Sequence, residues 1–559
     1  MKILKHFCKK HKKDTVSESD TLLYIVQMLK EYGVTDIVAS PGAQNANFNY
    51  IVQEDDYFKC YSVVDERSAG YVATGISNQS QKPVVITCTE ATSSRNYLSA
   101  LTEAFYRDIP LIAITFYNSL NSNYSLGPQH IDRSISQNDI KAVSVNLPVI
   151  INKETKRQCL VLLNAALSTA VYKHKPVHIN CPSCFDIKSE YNYTNIKTWK
   201  TEFIFDDFVK LTEELKNKKI AIFIGSHPKF NDRTLTAIET FATSWGAAVF
   251  YDHTSSYEGC KNAILISQAA NQIHDLEYAD IIIDIGGICG DYSCGKLFNK
   301  ADVWRITQYG EFKCRFSNAV KKHIVCQENT FFEQARNINN YKFINYFDIL
   351  NEKIQSIQIS DNLPLSNILV SKYLAKYIPN KSTLNVSILN SLRSLNFYTI
   401  NSDVEIVCNV GGFGIDGQVS TLVGQAISQK DKLHFGLFGD LAFFYDMNIL
   451  GNRHISNNIR ILLINNNKGE EFRLIPDFEN NLHDLTDNLI AAGGHNLRGA
   501  EAWAKSCGFE YMYTDSVENL ESQIKMFCTK KYDKPVLFEI KTNDIDERRA
   551  LEIMITTKR

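Results

Sequence analysis

Apolar runs of strand length alternate along most of the chain with segments whose apolar residues recur at helical spacing. The runs end at polar or glycine-rich turns, as at Ser40-Pro41-Gly42 and Gly439-Asp440. Strands that alternate with helices predict doubly wound parallel sheets. The predicted strands are Ile37–Ala39, Tyr61–Val64, Val84–Cys88, Pro110–Thr115, Pro176–Pro182, Lys219–Gly225, Ala247–Tyr251, Ile281–Gly287, Val303–Ile306, His323–Val325, Glu405–Cys408, Leu433–Phe438, Ile459–Ile464 and Lys534–Ile540.

The chain of 559 residues is too long for one hydrophobic core. We predict an α/β fold with three doubly wound parallel-sheet domains. Their ranges are 15–190, 200–355 and 360–559, after a basic lead-in over 1–14. The first and third domains carry polar groups at strand ends. The central one lacks a Gly-x-Gly-x-x-Gly motif that opens a helix, so we interpret it as structural.

Composition narrows the function classes. Hydrophobic residues make up 44%, charged residues 22%, and the net charge is −2, so nothing indicates binding to nucleic acid or to an anionic membrane. No segment is apolar enough to span a bilayer, and we expect a cytoplasmic protein. The 14 cysteines are scattered, mostly in apolar runs, as expected for reduced thiols. Cys181-Pro-Ser-Cys184 lacks a second half that would complete a zinc site.

The stretch 437–472 carries the strongest candidate chemistry. One strand ends at Gly439-Asp440, a helix is predicted from Ala442 to about Leu450, and the next strand ends at Asn465-Asn466-Asn467. Parallel strands joined by a crossover helix end on one edge of a sheet, where ligands bind. An anionic oxygen of Asp440, a neutral oxygen of Asn466 and nearby N–H groups suit Mg²⁺ shared with a diphosphate cofactor. The alternative is an ordinary helix cap followed by an ordinary turn.

Two other segments place polar or glycine residues after strands. Glu66 follows the strand Tyr61–Val64 and opens a helix that is rich in small residues. An isolated glutamate at this position is by default a solvated cap. The loop 411–417 contains four glycines and follows the strand Glu405–Cys408.

Jointly, these motifs resemble the thiamine diphosphate (ThDP) enzymes of the acetolactate synthase and pyruvate decarboxylase type. Within that group the sequence is most similar to the MenD family, 2-succinyl-5-enolpyruvyl-6-hydroxy-3-cyclohexene-1-carboxylate synthase. The segments that carry the resemblance are Ser40–Gly42, Asp65–Ala69, Pro176–Pro182, Asn390–Leu392, Gly414–Gly417, Gly439–Leu441 and Asn465–Asn467.

The resemblance implies a pyrimidine-binding, a central and a diphosphate-binding domain. Asp440, Asn466 and the backbone carbonyl of Lys468 would hold Mg²⁺. Glu66 would hydrogen-bond the aminopyrimidine ring and stabilise the tautomer that removes the thiazolium C2 proton; a carboxyl group in an apolar cleft has the raised pKa that this requires. Ile415 would support the cofactor in its V shape. The other implied contacts are Ser391, Gly439, Leu441 and Gly469 with the cofactor, and Gln129 as a catalytic residue.

The resemblance also implies a homodimer or homotetramer with its sites at subunit interfaces. Glu66 and Asp440 of one site would then come from different subunits. The binding partners would be a small 2-oxo acid and an acceptor, with no nucleic acid or membrane.

Several positions depart from the family pattern. The family has Ser-Arg where this chain has Ala43-Gln44, and arginines where Leu395 and Val410 stand, although Arg393 is near the first of these. The further departures are Glu90-Ala91 in place of Ser-Gly and Lys468 in place of glycine. Arginine contacts with substrate carboxylates are not replaced by Val, Leu or Gln.

Losing two or three such contacts, at roughly 1.5–3 kcal/mol each, would weaken binding of multi-anionic substrates by several orders of magnitude. We therefore predict ThDP- and Mg²⁺-dependent decarboxylation of a 2-oxo acid, with carboligation, on substrates other than the menaquinone-pathway pair. A simple decarboxylase or acetolactate synthase-like enzyme and a non-catalytic ThDP-binding paralogue remain alternatives. A nicotinamide or flavin oxidoreductase is disfavoured by the missing Gly-x-Gly-x-x-Gly motif. Further candidate substrate contacts are His130, Lys296, Arg393, Arg473 and His495, although lone histidines more often lie in surface loops.

Overall fold

The computed structural model describes most of the chain in two compact units. The described residues are 19–80, 82–90, 92–106, 108–117, 137–183, 197–259, 261–312, 315, 320–357, 361–401, 403–411, 413–415, 417–469, 491–494 and 498–555. One unit comprises the described residues within Met1–Phe205 and Gly310–Val325, and the other those within Asp206–Tyr309 and Cys326–Arg559. The predicted lead-in, Cys184, Gln129, His130, Arg473 and His495 lie outside the described residues.

The first sheet has six parallel strands in the order β2-β1-β3-β4-β6-β5. Helix α6 shows how local sequence sets the boundaries of an element, because Asn152 and Thr155 form a reciprocal capping box at its start. The elements are α1 Ser19–Glu31, β1 Asp36–Ala39, α2 Ala46–Gln53, β2 Lys59–Ser62, α3 Glu66–Ser80, β3 Val84–Cys88, α4 Thr92–Asn96, α5 Leu98–Tyr106, β4 Leu111–Tyr117, β5 Val143–Asn146, α6 Lys153–Lys173 and β6 Val177–Pro182.

The middle of the chain also forms parallel strands. Strands β10-β9-β8-β11-β12 are neighbours in that order within the second unit. In the first unit, β13 pairs in parallel with β7, supported by an ion pair of 3.1 Å between Lys322 Nζ and Glu202 Oε2. The elements are β7 Glu202–Ile204, α7 Phe208–Glu214, β8 Ile220–Ile224, α8 Asp232–Trp245, β9 Ala248–Tyr251, β10 Ala263–Leu265, β11 Ile281–Ile285, β12 Asp302–Thr307, β13 Val320–Val325, α9 Glu328–Gln334 and α10 Tyr346–Gln355.

The third sheet again has six parallel strands, in the order β15-β14-β16-β17-β19-β18. A short 3-10 helix, Met447–Gly451, follows α14. The elements are α11 Asn367–Tyr377, β14 Thr383–Val386, α12 Asn390–Leu395, β15 Glu405–Val407, α13 Gln418–Ser428, β16 His434–Gly439, α14 Asp440–Asp446, β17 Ile459–Asn465, α15 Glu501–Ser506, β18 Glu510–Thr514, α16 Leu520–Thr529, β19 Val536–Lys541 and α17 Asp544–Ile555.

The inner strands of the first and third sheets are buried on both faces. Along β17, Leu462 and Ile464 join one apolar cluster, whereas Ile461 and Leu463 join the cluster on the opposite face. Such double burial explains why the strands are nearly continuous apolar runs rather than alternating ones. The predicted α/β fold with three parallel-sheet domains is confirmed, and the domain boundaries stay a prediction.

Some elements differ from the sequence prediction. The strand predicted at Tyr61–Val64 is β2, at Lys59–Ser62. Its residues are exposed, and among the described strands it is an edge strand that pairs with β1 alone. Helix α14 begins at Asp440, two residues before the predicted start, because Gly439 already serves as its N-cap. The prediction omitted the short strands β5, β7, β10, β14 and β18.

Among the helices that the structure describes, none combines the length and apolar character needed to cross a bilayer.

Candidate active site

The ends of β16 and β17 bring the predicted metal ligands to the same edge of the third sheet. Gly439 and Ile464 are paired in register, so Asp440 and Asn466 follow directly on neighbouring strands. Their exposed fractions are only 3% and 8%. The predicted crossover unit is therefore confirmed, and it places a carboxylate and a carboxamide side by side in a largely buried position.

The three asparagines after β17 have different surroundings. Asn465 turns into the protein and donates from Nδ2 to Glu539 Oε1 at 2.7 Å. Asn467 adopts a left-handed conformation with φ +68°, and its N–H donates to Asn465 Oδ1 at 3.1 Å. These two residues build the turn. Asn466 Oδ1 accepts from Lys468 N–H at 3.4 Å, and Asn466 lines a cavity at the strand ends.

All eight residues predicted for the diphosphate and metal half line this cavity. They are Ser391, Ile415, Gly439, Asp440, Leu441, Asn466, Lys468 and Gly469. Seven further residues line the cavity without a role predicted from the sequence, and they are Asn367, Ser387, Ile388, Leu389, Asn390, Ala442 and Ile464. A signal for three of them existed, because Ser387, Ile388 and Leu389 directly follow β14, whose short sequence Thr-Leu-Asn-Val was not interpreted as a strand.

Gly439 leaves free space at the carboxyl end of β16. A Cβ atom on this residue would meet only Ser391 Oγ, at 3.9 Å. The backbone of Gly439 has φ −74° and ψ 159°, which any residue can adopt. Its N–H donates to Ser387 Oγ at 3.3 Å, which ties the ends of β14 and β16 together. The glycine is therefore required neither by backbone conformation nor by protein packing, and it keeps room in the cavity.

Leu389 adopts a strained backbone conformation beside this space. Its φ of 72° and ψ of −126° are unfavourable for a residue with a Cβ atom, and it immediately precedes α12. Ser391, in the first turn of that helix, is buried against the cavity. Backbone strain of this kind concentrates at ligand sites, where the surrounding packing holds it in place.

Lys468 turns its side chain away from the strand ends toward the last helix. Its Nζ forms an ion pair of 3.0 Å with Asp544 Oδ2, in the first turn of α17. The following Gly469 donates its N–H to Ala491 O at 2.5 Å. A lysine therefore fits at this position, since its ammonium group is neutralised by Asp544 and its contribution to a metal site would come from the backbone.

Glu66 lies at the corresponding edge of the first sheet. It is half-buried, and its Oε2 accepts from Asn96 Nδ2 at 3.1 Å. Asp65, not Glu66, caps α3: the N–H groups of Arg67 and Ser68 donate to Asp65 Oδ1 at 2.9 and 3.2 Å. The hydrogen bond from Ser68 holds the pKa of the Asp65 carboxyl below its usual value. The Glu66 carboxyl group is thus not used as the helix cap.

Gln44 and Glu90 form a buried pair on the neighbouring strand ends. Gln44 Nε2 donates to Glu90 Oε2 at 3.2 Å, and the N–H of Glu90 donates to Gln44 Oε1 at 3.1 Å. They follow β1 and β3, which are adjacent to each other, and β1 is also adjacent to β2, the strand before Glu66. Two positions that depart from the MenD pattern are therefore in direct contact.

Comparison with known proteins agrees with this geometry. A family model described as the thiamine pyrophosphate enzyme N-terminal TPP-binding domain matches residues 21–140. Proteins named 2-succinyl-5-enolpyruvyl-6-hydroxy-3-cyclohexene-1-carboxylate synthase match almost the whole chain. That of Flavobacterium johnsoniae is 27% identical over 93% of this chain and 95% of its own length. That of Phocaeicola vulgatus is 29% identical over 94% and 96%, and that of Bacteroides fragilis 27% over 96% and 98%.

The chain is a MenD-like thiamine diphosphate enzyme. It belongs to the enzymes that form or cleave carbon–carbon bonds with this cofactor.

The residues of this MenD-like enzyme fit the cofactor's diphosphate and a magnesium ion. Asp440, Asn466 and the carbonyl of Lys468 offer only oxygen donors, which hard cations such as Mg²⁺ prefer. The space kept open by Gly439 adjoins the start of α14, where backbone N–H groups favour anions. These residues could therefore hold a metal ion and a diphosphate, and Ile415 lines the same cavity.

Two of the three positions where the resemblance implies substrate arginines are apolar core in this MenD-like enzyme. Leu395 and Val410 are both buried in the main apolar cluster of the third domain. Arg393 is not among the described residues that line the cavity. It lies near Asp291, whose pKa is raised by burial and partly lowered again by this arginine. Lys296 donates to Ala270 O and Asn271 Oδ1 at 3.3 and 3.1 Å, so its ammonium group has a local structural use.

Proposed function

We propose that this MenD-like enzyme uses ThDP and Mg²⁺ to decarboxylate a 2-oxo acid and to join the remaining fragment to an acceptor. We further propose that its substrates differ from the pair used by its relatives. The observation that carries the proposal is the cavity over the ends of β16 and β17, which is lined by Asp440, Asn466 and Lys468.

The proposed binding and catalytic roles belong to residues at the edges of two different sheets. Asp440, Asn466 and the Lys468 carbonyl would hold the metal, and Ser391 beside Gly439 would border the diphosphate. Glu66 would hydrogen-bond the pyrimidine ring and share a proton with a ring nitrogen. Bound ThDP supplies the electron sink that allows CO₂ to leave. Gln129 stays a predicted catalytic residue.

The Gln44–Glu90 pair supports the change of substrate. An arginine at position 44 would offer a fork of donors to a substrate carboxylate, whereas Gln44 here is hydrogen-bonded to a carboxyl group. An ionised Glu90 would repel a substrate carboxylate placed at the same strand ends. Leu395 and Val410 likewise offer no charge. The four residues together favour a substrate with fewer carboxylates.

A homodimer or homotetramer is the proposed assembly, with active sites at subunit interfaces. Apolar side chains next to Glu66 are exposed in the chain: Val64 by 81%, Tyr71 by 47% and Val72 by 42%. Exposed apolar groups clustered around a half-buried carboxyl group are typical of a surface that a partner covers. A partner subunit on this surface would also supply the apolar surroundings that a catalytic glutamate needs.

The test of the reaction is CO₂ release from 2-oxo acids, with and without ThDP and Mg²⁺. We expect release that requires both cofactors and is lost in Glu66→Gln, while exposed Glu54→Gln serves as the matched control. Full activity in Glu66→Gln would overturn the mechanism. Calorimetry that detects no Mg²⁺-dependent ThDP binding would overturn the proposal. ThDP binding without CO₂ release from any 2-oxo acid would favour the non-catalytic ThDP-binding paralogue instead.

The test of the substrate compares monocarboxylic and dicarboxylic 2-oxo acids. We expect kcat/KM for pyruvate or 2-oxobutyrate to exceed that for 2-oxoglutarate, since no arginine is available at positions 44, 395 and 410. A preference for 2-oxoglutarate would contradict the proposed change. Gln44→Arg combined with Glu90→Gly should shift the preference toward the dicarboxylic acid.

A further inference from the structure

A buried glutamate on the last helix holds part of the cavity wall from behind. Glu547, on α17, accepts a hydrogen bond from the backbone N–H of Asn367, with distances of 3.0 Å to Oε1 and 3.1 Å to Oε2. Its Oε1 also accepts from Asn367 Nδ2 at 3.0 Å and from Thr542 Oγ1 at 2.9 Å. Because a helix leaves its first N–H groups unpaired, the carboxyl group satisfies one at the start of α11.

The same end of α17 is connected to two other segments of the wall. Burial raises the pKa of the Glu547 carboxyl group, and the nearby side chain of Asn390, in the first turn of α12, is one of the polar groups that lower it again. Asp544, at the start of α17, forms the ion pair with Lys468. Asn367, Asn390 and Lys468 all line the cavity. One helix end therefore bonds two wall segments that are far apart in sequence and lies close to a third.

Asn367 has one polar atom that the protein leaves unsatisfied. Its exposed fraction is 3%, and its Oδ1 is buried without a hydrogen-bond partner among the residues that the structure describes. Glu547 occupies the Nδ2 side of the same amide, so the orientation of the carboxamide is set. A buried carbonyl oxygen without a donor costs free energy unless a ligand or a water supplies the donor.

We propose that Glu547 is a positioning residue for cofactor binding and acts through Asn367. It orients the Asn367 amide so that Oδ1 accepts a hydrogen bond from an ordered water that also donates to the cofactor's diphosphate. Water is the simplest group that can satisfy both acceptors, since Oδ1 and phosphate oxygens cannot bond each other directly. This inference rests on the proposed function, because it assumes that the cavity receives a diphosphate.

The test is ThDP affinity, measured by calorimetry at saturating Mg²⁺ on the full chain. Asn367→Ala removes Oδ1 but keeps the backbone N–H for Glu547. Glu547→Gln places an amide against two N–H donors and misorients Asn367. We expect each variant to bind ThDP about tenfold more weakly. Exposed Glu552→Gln on the same helix is the matched control and should bind as the wild type does.

The double variant Glu547→Gln/Asn367→Ala separates positioning from a general loss of structure. If Glu547 acts through Asn367, the double variant binds no more weakly than Asn367→Ala alone. Additive losses of ThDP affinity in the double variant would overturn the inference. Wild-type affinity in Asn367→Ala would overturn it too, and this measurement can be made even if Glu547→Gln does not fold. A wild type that binds no ThDP would overturn the proposed function and this inference together, whereas wild-type affinity in the variants would overturn only the inference.

Discussion

The first and third sheets have the same topology but present different chemistry. If the strands of each sheet are numbered from one to six along the chain, both sheets follow the order 2-1-3-4-6-5. In the third sheet the ends of strands one, three and four surround a cavity with Ser391, Asp440 and Asn466. In the first sheet the ends of strands two, one and three carry Glu66, Gln44 and Glu90.

The two sheet edges differ in how deeply their polar side chains are buried. Asp440 and Asn466 are buried within one unit, whereas Glu66 is half-buried next to exposed apolar side chains. A metal and diphosphate need ligands that are already arranged, while a proton-sharing carboxyl group needs only an apolar cover. We therefore expect the third sheet to govern cofactor affinity and the first sheet to govern the chemical step.

The largest effect should come from Glu66→Gln. This change should lower kcat by about 10²- to 10⁴-fold, because a proton-sharing group is lost, and leave the Kd for ThDP within about threefold. Steady-state rates and calorimetry measure the two quantities. A variant that loses affinity and keeps its rate would reverse the assignment of the two edges.

The opposite pattern is expected for Asp440→Asn. The Kd for ThDP at saturating Mg²⁺ should rise by at least about 100-fold, because the only charged ligand of the proposed metal set is removed. Chelation of Mg²⁺ by EDTA should have a comparable effect on the wild type. The control is Asp431→Asn, at an exposed position before β16; equal affinity in the two variants would contradict the proposed metal site.

Glu547 should make the stability of the second unit depend on pH. Burial raises the pKa of Glu547 to about 7, compared with the usual 4.5. The folded state thus holds the proton more tightly than the unfolded state. The resulting stabilisation is fully present below about pH 4.5 and is lost as the pH rises through about 7.

The difference between the two pKa values corresponds to roughly 3 kcal/mol in the free energy of unfolding. Urea unfolding at several pH values should therefore show a falling free energy of unfolding over this range in the wild type. The fall should be smaller by that amount in Glu547→Gln. Identical slopes in the two proteins would show that the carboxyl group titrates normally.

Two glycines should give the smallest and most diagnostic effects. A Cβ atom on Gly42, after β1, would lie 1.8 Å from Thr89 Cγ2, whereas one on Gly439 would meet only Ser391 Oγ at 3.9 Å. Gly42→Ala should therefore destabilise the fold by about 1–3 kcal/mol. Gly439→Ala should leave the melting temperature unchanged and weaken ThDP binding about tenfold, because the methyl group takes ligand space.

Gly424→Ala, which has open space around it in α13, is the control for both variants. Unchanged ThDP affinity in Gly439→Ala would show that the diphosphate does not use this space.

The sequence was sufficient for features that depend on strand ends. The apolar runs before Asp440 and Asn466 were long enough to predict β16 and β17, and parallel topology then brought the two residues together. The sequence was insufficient to predict short strands and contacts between segments that are distant along the chain. Strand β14 has four residues and was omitted, so Ser387 and Leu389 were missed with it.

Contacts between distant segments explain the remaining omissions. Glu547 at the beginning of a C-terminal helix looks like a solvated acid, and only the fold buries it against Asn367, 180 residues earlier. Gln44 and Glu90 were recognised separately as departures from the family pattern. Their mutual hydrogen bonds, across 46 residues, could not be inferred from either position alone.

The discontinuity of the first unit has a consequence for synthesis on the ribosome. Strand β7 finds its parallel neighbour in β13, in the segment Gly310–Val325, which follows Phe205 only after more than a hundred further residues. At about 5–20 residues per second, translation of the intervening chain takes roughly ten seconds. During that time β7 of the nascent first unit lacks this partner strand. Because an unpaired strand edge promotes aggregation, a fragment that ends near Phe205 should be more prone to aggregation than the full chain.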